Sequence, residues 1–148
     1  MVVPIERSMH DIFLRPVTSE DTAFALHVTE ACMRVYAEQT WGAWDRRADL
    51  NLAVDEIIQL AGSEIGLIGI ERHLDHWFLG KLYLLPAYQN QGFGGYLLGR
   101  LIRDAKSAEV ALRLTVLEVN PARRFYERYG FVLTHTISPR QHMEWGGD

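Results

Sequence analysis

The sequence predicts a single mixed α/β domain in which a twisted, mostly antiparallel sheet is flanked by helices. The chain has 148 residues, enough for one domain with a buried core, and it contains no repeat or long linker. In some segments the apolar residues recur every three to four positions, which is typical of helices. In the segments between them they recur at every second position, which is typical of strands. A strand–glycine loop–helix–strand unit in the second half implies a locally parallel pair of strands. We therefore expect one domain over residues 1–148 with the order β-α-α-β-β-β-α-β-α-β-β.

The first third of the chain predicts one strand and two helices. A short strand over Ile12–Leu14 is followed by Thr18, which resembles a helix N-cap. Apolar residues at three-to-four spacing from Phe24 to Val35 predict the first helix. The segment Trp41–Trp44, which contains a glycine, interrupts that helix. A second, shorter helix is expected over Asp45–Leu52.

The middle of the chain predicts three strands. Apolar residues at a spacing of two run over Glu56–Leu60, Ile65–Arg72 and Trp77–Leu85, with turn residues between them and Pro86 at the end. Because the connecting turns are short, the three strands are expected to form an antiparallel meander.

The last third of the chain predicts two helices and three strands. A helix begins at Gly92 and carries one apolar stripe. The apolar run Leu112–Val119 is typical of a buried strand. The segment Asn120–Gly130 combines an N-cap residue, a proline at the first helical position and a closing glycine, which predicts a second helix. Phe131–Ile137 and Gln141–Trp145 are the last two strands.

The composition excludes several classes of protein. A net charge of −4 provides no basic field for nucleic acid, so we expect no nucleic-acid partner. No apolar stretch reaches the roughly 20 residues of a membrane span, and Met1–Asp11 lacks the apolar run of a secretory signal. We therefore expect a soluble, cytoplasmic protein without a membrane or metal site. The single cysteine, Cys32, excludes an intrachain disulfide and is expected to pack in a helix.

The glycine-rich segment after the third meander strand is the most informative part of the sequence. The strand feeds a turn containing Gly92, Gly94 and Gly95, which then becomes a helix. Such a turn presents unpaired backbone N–H groups at the positive end of a helix dipole, where glycines allow a phosphate close approach. The Walker ending Gly-Lys-Ser/Thr is absent, and Leu97 replaces the third glycine of the dinucleotide fingerprint. The pattern predicts a pyrophosphate bound mainly by backbone; a glycine turn without a ligand is the alternative.

Two motifs resemble those of the GNAT N-acetyltransferase family. The segment Gln89–Gly94, Gln-Asn-Gln-Gly-Phe-Gly, resembles the family signature Q/R-x-x-G-x-G/A and follows an apolar strand that ends in proline. The segment Asn120–Phe131 is similar to the family block N-x-A…(L/F)YE-x-x-GF. The two motifs occur in the family's order, with a helix and a strand between them. They cover Trp77 to Phe131, and the element order agrees over nearly the whole chain.

The resemblance implies an acetyl-CoA-dependent enzyme that acetylates a primary amine by direct attack in a ternary complex. It implies that the backbone of Leu82–Leu84 pairs with the pantetheine amides and that the amides of Asn90–Gly95 hold the pyrophosphate. Asn120 would hydrogen-bond the cofactor arm while capping its helix, and Tyr126 would be the general acid toward the CoA thiolate. The strands before the glycine loop and before Asn120 are expected to splay apart. The expected cofactor-binding residues are Leu82, Tyr83, Leu84, Gln89, Asn90, Gln91, Gly92, Phe93, Gly94, Gly95, Asn120 and Tyr126.

The sequence does not identify a general base. Relatives place a carboxylate on the strand before the glycine loop, where this chain has Lys81 and Tyr83. Others use a glutamate on the strand before the asparagine block, and an ungapped alignment puts Thr115 at that position. Glu118 could still serve as the base if the register differs. Each remaining candidate also has an ordinary structural explanation. These candidates are Glu71, His73, Asp75, His76 and His142.

The sequence does not decide how the acceptor site is built. The family builds it from the first two helices and the last strands, where Tyr36, Trp41, Trp44 and Asp45 cluster. With Glu38 they would form an aromatic and acidic pocket for a cation; alternatively, the tryptophans close the core beneath a helix break. The acceptor is expected to be a small-molecule or protein amine, and the protein a monomer or homodimer. Transfer of a larger acyl group and a non-catalytic acyl-CoA-binding or partner-binding module remain alternatives.

Overall fold

A seven-stranded sheet forms the centre of the computed structural model, which describes residue 9, residues 11–45 and residues 50–146. In chain order the strands are β1 (Ile12–Pro16), β2 (Asp55–Leu60), β3 (Ser63–Arg72), β4 (His76–Leu84), β5 (Ala111–Leu117), β6 (Val132–Ile137) and β7 (Arg140–Trp145). In the sheet they lie in the order β1-β2-β3-β4-β5-β7-β6, and only the β4–β5 pair is parallel. Helices pack on both faces, which confirms the mixed α/β class and its mostly antiparallel sheet. No helix of the described residues is long and apolar enough to cross a membrane.

The chain enters through β1 (Ile12–Pro16), which pairs antiparallel with β2 at the edge of the sheet. Thr18 then caps a short 3-10 turn, and the Asp21 carboxylate accepts a hydrogen bond of 2.8 Å from the Thr18 N–H. The same carboxylate binds both terminal nitrogens of Arg15, at 2.8 and 2.9 Å. The predicted helix start at Thr18 is thus confirmed, with one 3-10 turn before α1 (Thr22–Trp41).

Helix α1 ends where the sequence predicts. Gly42 adopts a left-handed φ of 79°, which favours glycine, and its N–H donates to the Glu38 carbonyl at 2.8 Å. Half of the second helix expected over Asp45–Leu52 falls on residues 46–49, which lie outside the described residues. Asp45 and residues 50–52 are not helical.

The predicted meander consists of β2 (Asp55–Leu60), β3 (Ser63–Arg72) and β4 (His76–Leu84). Both β2–β3 and β3–β4 are antiparallel, as expected. Neighbouring residues Ile57 and Ile58 of β2 are both fully buried, and they belong to two different hydrophobic cores. Because successive side chains of a strand point to opposite faces, one core lies under α1 and the larger one on the other face.

Helix α2 (Phe93–Ala108) and strand β5 (Ala111–Leu117) complete the predicted crossover. Leu97 and Leu98 of α2 pack in the larger core together with Ile58, so α2 covers the face opposite α1. Strands β4 and β5 pair in parallel at only three positions, beginning with His76 opposite Ala111.

The chain ends with α3 (Ala122–Arg128), β6 (Val132–Ile137) and β7 (Arg140–Trp145). Strand β7 inserts between β5 and β6 and runs antiparallel to both. Helix α3 begins two residues after the predicted N-cap, but the Asn120 side chain still accepts a hydrogen bond of 2.9 Å from the Ala122 N–H. The strand boundaries otherwise agree with the predicted ones to within one or two residues.

Candidate active site

A cleft of about 980 Å³ opens where β4 and β5 separate. The two strands pair only as far as Phe78 opposite Arg113. Beyond that point, Leu79–Leu84 of β4 and Leu114–Leu117 of β5 line opposite walls. The expected splay is therefore confirmed, and it leaves the facing edges of the two strands open to a ligand.

The glycine loop closes one end of this cleft. Asn90 and Gly92 have left-handed φ angles of 60° and 90°, and α2 begins at the next residue. When left-handed residues alternate with other conformations before a helix, several backbone N–H groups point toward the same side. The N–H groups of the first helical turn have no hydrogen-bond partner within the helix. Gly92, Gly94 and Gly95 all line the cleft. The loop can therefore accept an anion by backbone contacts alone.

Two glutamines hold the loop in this shape. The Gln89 amide donates to the Leu84 carbonyl at 2.9 Å, and the Gln91 amide donates to the Ala87 carbonyl at 2.5 Å. The Cys32 thiol also donates to the Leu84 carbonyl, at 3.2 Å. The Leu84 carbonyl has two lone pairs, and the Gln89 and Cys32 donors occupy both of them. A cofactor that pairs with β4 must therefore use other backbone groups of that strand. Burial raises the pKa of the Cys32 thiol, consistent with the packing role expected for it.

Tyr126 projects from α3 into the cleft. Its ring packs edge-on against Phe125 and Phe131, with ring centroids 5.2 and 5.6 Å apart. Burial raises the pKa of the Tyr126 hydroxyl above its usual range, and the nearby Tyr83 adds to this rise. No residue of the described chain hydrogen-bonds this hydroxyl. It therefore keeps its proton at neutral pH and can donate it to a ligand atom in the cleft.

Ten of the twelve expected cofactor-binding residues line this one cleft. The two exceptions are Gln91, which is turned back onto the loop, and Phe93, which is 3% exposed in the core while its amide stays in the first turn of α2. The residues that line the cleft are Leu82, Tyr83, Leu84, Gln89, Asn90, Gly92, Gly94, Gly95, Asn120 and Tyr126.

No carboxylate or imidazole of residues 9, 11–45 and 50–146 lines the cleft. Thr115 does line it, whereas Glu118 is exposed beyond the end of β5. His142 lies opposite Thr115 in the β5–β7 register, but its ring stacks on His135 at 4.2 Å and does not line the cleft. The remaining candidates surround the β3–β4 turn, away from the cleft; they are Glu71, His73, Asp75 and His76.

Lys81 of β4 also lines the cleft, in a contact that the sequence did not suggest. Its Nζ lies 2.5 Å from Oδ2 of Asp55, and the two side chains are 17% and 2% exposed. Asp55 also accepts a hydrogen bond from the Asn51 N–H at 2.9 Å. A Cβ at Gly69 would collide with Oδ1 of Asp55, so this strand position needs glycine. An unexplained glycine within a strand is the sequence signal for such a close approach.

The aromatic residues expected at the acceptor end are present, but the acidic ones are not. Tyr36, Trp41 and Trp44 line the cleft, whereas Glu38 and Asp45 do not. Trp41 is 54% exposed, so it does not close the core beneath the helix break. The aromatic residues therefore line the cleft and the acidic ones do not, while the assignment of this end to the acceptor stays a prediction.

Arg140 provides a cation at this end of the cleft. It is the first residue of β7, it lines the cleft, and its Cζ lies 5.4 Å from the centre of the Trp41 ring. The aromatic face on which sequence analysis placed a cationic ligand thus carries the protein's own guanidinium. Nothing in the local sequence indicated this, because the contact joins a helix end and a strand about a hundred residues apart.

Comparison with known proteins gives a family match. A family model described as an acetyltransferase (GNAT) domain matches residues 35–133. A [ribosomal protein bS18]-alanine N-acetyltransferase of Haemophilus influenzae is 42% identical over 83 residues. That alignment covers 55% of this chain and 54% of the relative, so the match spans about half of each protein.

Solved structures have the same fold. The PaiA N-acetyltransferase from Thermoplasma acidophilum, in complex with coenzyme A, superposes with a TM-score of 0.73 at 20% identity. The similarity covers 90% of this chain and 98% of that one. The ribosomal-protein-S18-alanine N-acetyltransferase from Escherichia coli has a TM-score of 0.66 at 21% identity, with coverages of 90% and 92%.

Proposed function

Because the GNAT domain model matches most of its residues, the chain belongs to the GNAT acetyltransferase family, and we propose that it transfers the acetyl group of acetyl-CoA to a primary amine. The splayed strands support this proposal most directly. They create one cleft with a backbone anion site at the glycine loop and a protonated phenol, Tyr126, on its wall. A glycine turn without a ligand would not need that cleft.

The residues of the cleft fit acetyl-CoA in their chemistry. The first-turn amides from Phe93 to Gly95, with the left-handed loop before them, would hold the pyrophosphate. The open edge of β4 would pair with the pantetheine arm in the manner of an added strand. Asn120 lines the cleft while it caps α3. Bound there, acetyl-CoA supplies an acetyl thioester that a neutral amine can attack directly.

Tyr126 is proposed as the general acid for this transfer. The departing sulfur needs a proton donor, and the pKa of the Tyr126 hydroxyl is raised by burial, so the proton is present at neutral pH. The packing of its ring between Phe125 and Phe131 fixes its position. No base is assigned, because none of the cleft-lining residues in the described ranges is an acid or a histidine.

The absence of such a base favours an α-amino acceptor. At pH 7 about one α-amino group in six to ten is neutral, because its pKa is about 7.7–8.0. A lysine side chain with a pKa of about 10.4 is neutral in only about one molecule in two or three thousand. An α-amino group thus needs much less help in losing its proton. The name of the Haemophilus relative, an alanine N-acetyltransferase of a ribosomal protein, supports the same class.

The proposal is tested by incubating the protein with acetyl-CoA and two matched peptides, one with a free α-amino group and one with a blocked N-terminus and a free lysine. We expect CoA release and a mass increase of one acetyl group on the first peptide, and much slower reaction of the second. Acetyl-CoA binding without turnover of any amine would replace the proposal by the non-catalytic acyl-CoA-binding module.

A further inference from the structure

Among the described residues, the charged side chains that line the cleft are all basic. Three cationic side chains reach it, those of Lys81, Arg128 and Arg140. Within the described ranges no aspartate or glutamate joins them. This is the opposite of what a site for a cationic acceptor requires, because like charges in a partly desolvated cleft repel.

Two of these cations lie on the face of the sheet that α1 covers. Lys81 contacts Asp55, which is two residues before Ile57 on the same side of β2, and Ile57 packs under α1. Arg140 packs on Trp41, the last residue of α1. The glycine loop begins α2, which covers the opposite face. The two cations are therefore separated from the backbone site proposed for the cofactor phosphates.

Arg140 is built to hold an anion. Its guanidinium lies over the Trp41 ring, which orients the guanidinium plane by cation–π stacking. Arg140 lines the cleft with an exposed side chain, and no ion pair joins it to a carboxylate of the described residues. A guanidinium held in this way presents two parallel N–H donors that match a carboxylate.

Lys81 places an ammonium and not a carboxylate on the wall of the cleft. Its ammonium is held against Asp55, whose carboxylate is 2% exposed and lies behind the cleft wall. Asp55 does not line the cleft, so the carboxylate of this pair is not presented to the acceptor. The room that Gly69 leaves for Asp55 indicates that this arrangement is a specific feature of the packing.

We propose that the acceptor amine carries a carboxylate close to its amino group and that Arg140 is the residue that selects it. This inference rests on the proposed function and narrows its substrate class. The carboxylate comes either from the α-carboxylate of a free amino acid or from an acidic side chain next to the N-terminus of a peptide. Both sources share one chemistry, and matched probes distinguish them.

The test compares acceptors with and without the carboxylate, with rates expressed per neutral amine, because a neighbouring carboxylate raises the pKa of the amine. The first pair is alanine and alaninamide; the second is the amidated tetrapeptide Ala-Asp-Gly-Ala and its Ala-Asn-Gly-Ala counterpart. With saturating acetyl-CoA, we expect kcat/KM to favour the acid of at least one pair by about tenfold or more. Arg140→Gln should abolish that preference, and Arg140→Lys should keep part of it.

A matched control separates Arg140 from surface charge in general. Arg113 lies on the same sheet, pairs with Glu144 at 2.8 Å and does not line the cleft. Arg113→Gln should leave the preference unchanged. Faster reaction of the amides, a preference that survives Arg140→Gln, or a loss of acetyl-CoA affinity in Arg140→Gln would each overturn the inference.

A binding measurement keeps this inference separate from the proposed function. Calorimetric titration of the two peptides into the CoA-saturated protein should show about tenfold tighter binding of the acid, lost in Arg140→Gln. Equal binding of acid and amide would refute the selection by Arg140, whatever the turnover. Selective binding without any turnover would refute the proposed catalysis and leave the carboxylate site standing.

Discussion

The ammonium of Lys81 and the carboxylate of Asp55 meet at 2.5 Å across the width of β3, with side chains 17% and 2% exposed. The pair occupies the region of β4 where relatives of this family place a catalytic carboxylate. The acid of the pair comes from β2 and lies behind the cleft wall, so it neutralises the lysine and does not face the acceptor. This wall of the cleft therefore presents no carboxylate of the described residues to the acceptor.

Removal of Lys81 is expected to destabilise the fold. Lys81→Met leaves a buried carboxylate without its ammonium partner, which should lower the free energy of unfolding by about 3–5 kcal/mol in urea titrations. The double variant Lys81→Met/Asp55→Leu should recover part of this loss, because no charge is then buried alone.

The control for this prediction is the more exposed pair Arg113–Glu144, whose side chains are 47% and 24% exposed. Arg113→Met should change the free energy of unfolding by less than about 1 kcal/mol. Equal effects of Lys81→Met and Arg113→Met would mean that the Asp55–Lys81 pair is not effectively buried.

Replacement of Tyr126 by phenylalanine should slow turnover by about 10²–10⁴ while acetyl-CoA affinity stays near the wild-type value. Burial raises the pKa of the Tyr126 hydroxyl, so the wild-type protein keeps this proton as the pH rises. The ratio of wild-type to Tyr126→Phe kcat should thus stay constant from about pH 7 to 9.

Tyr88→Phe serves as the control, since Tyr88 packs near Phe93 and does not line the cleft. It should retain wild-type kcat. A fully active Tyr126→Phe enzyme would remove Tyr126 as the proton donor, and a kcat ratio that declines above pH 7 would contradict the direction of its pKa shift.

The two loop glycines should respond differently to alanine. Gly92 has a φ of 90°, so Gly92→Ala places a side chain in left-handed backbone at a cost of about 1–2 kcal/mol and disturbs the anion site. Gly94 is helical, and a Cβ there would meet nothing nearer than Phe125 at 3.6 Å. Fluorescence titration should show acetyl-CoA affinity weakened by about tenfold or more in Gly92→Ala and nearly unchanged in Gly94→Ala. Wild-type affinity in Gly92→Ala would contradict the loop assignment.

The Arg15–Asp21 pair predicts a pH-dependent stability. Hydrogen bonds from the Arg15 guanidinium hold the pKa of the Asp21 carboxyl below its usual value. The stabilisation is therefore present above the unfolded pKa of about 3.9 and is lost as the pH falls toward the folded value. Urea unfolding should show a larger difference between wild type and Asp21→Asn at pH 7 than at about pH 3.5. A difference independent of pH would contradict this assignment.

Local signals predicted the elements and the cofactor side of the cleft. Gly42 and Gly92, both with left-handed backbone, lie at the end of one predicted helix and the start of another. The spacing of apolar residues predicted every strand of the described residues. The observed ends of some strands differ from the predicted ones where a turn follows. Strand β4, for example, ends before Leu85, which leads into the 3-10 turn Pro86–Tyr88. These features depend on neighbouring residues, which a sequence shows directly.

The acceptor side depends on contacts that sequence spacing does not reveal. The Asp55–Lys81 pair requires the register of three strands, and the packing of Arg140 on Trp41 requires the positions of β7 and α1. The position of Glu38 shows the same limit: it lies near the aromatic residues in sequence but does not line the cleft. Only Gly69, a glycine within a strand, hinted at a close contact.

Thermal unfolding with and without acetyl-CoA tests whether the glycine loop forms part of an acetyl-CoA site. Ligand at about a hundred times its Kd should add about 2.7 kcal/mol, which raises the Tm of a domain of this size by about 5–10 °C. We expect this rise with acetyl-CoA, no comparable rise with ATP or NAD, and a much smaller one in Gly92→Ala. A wild-type Tm that does not change with acetyl-CoA would contradict the account.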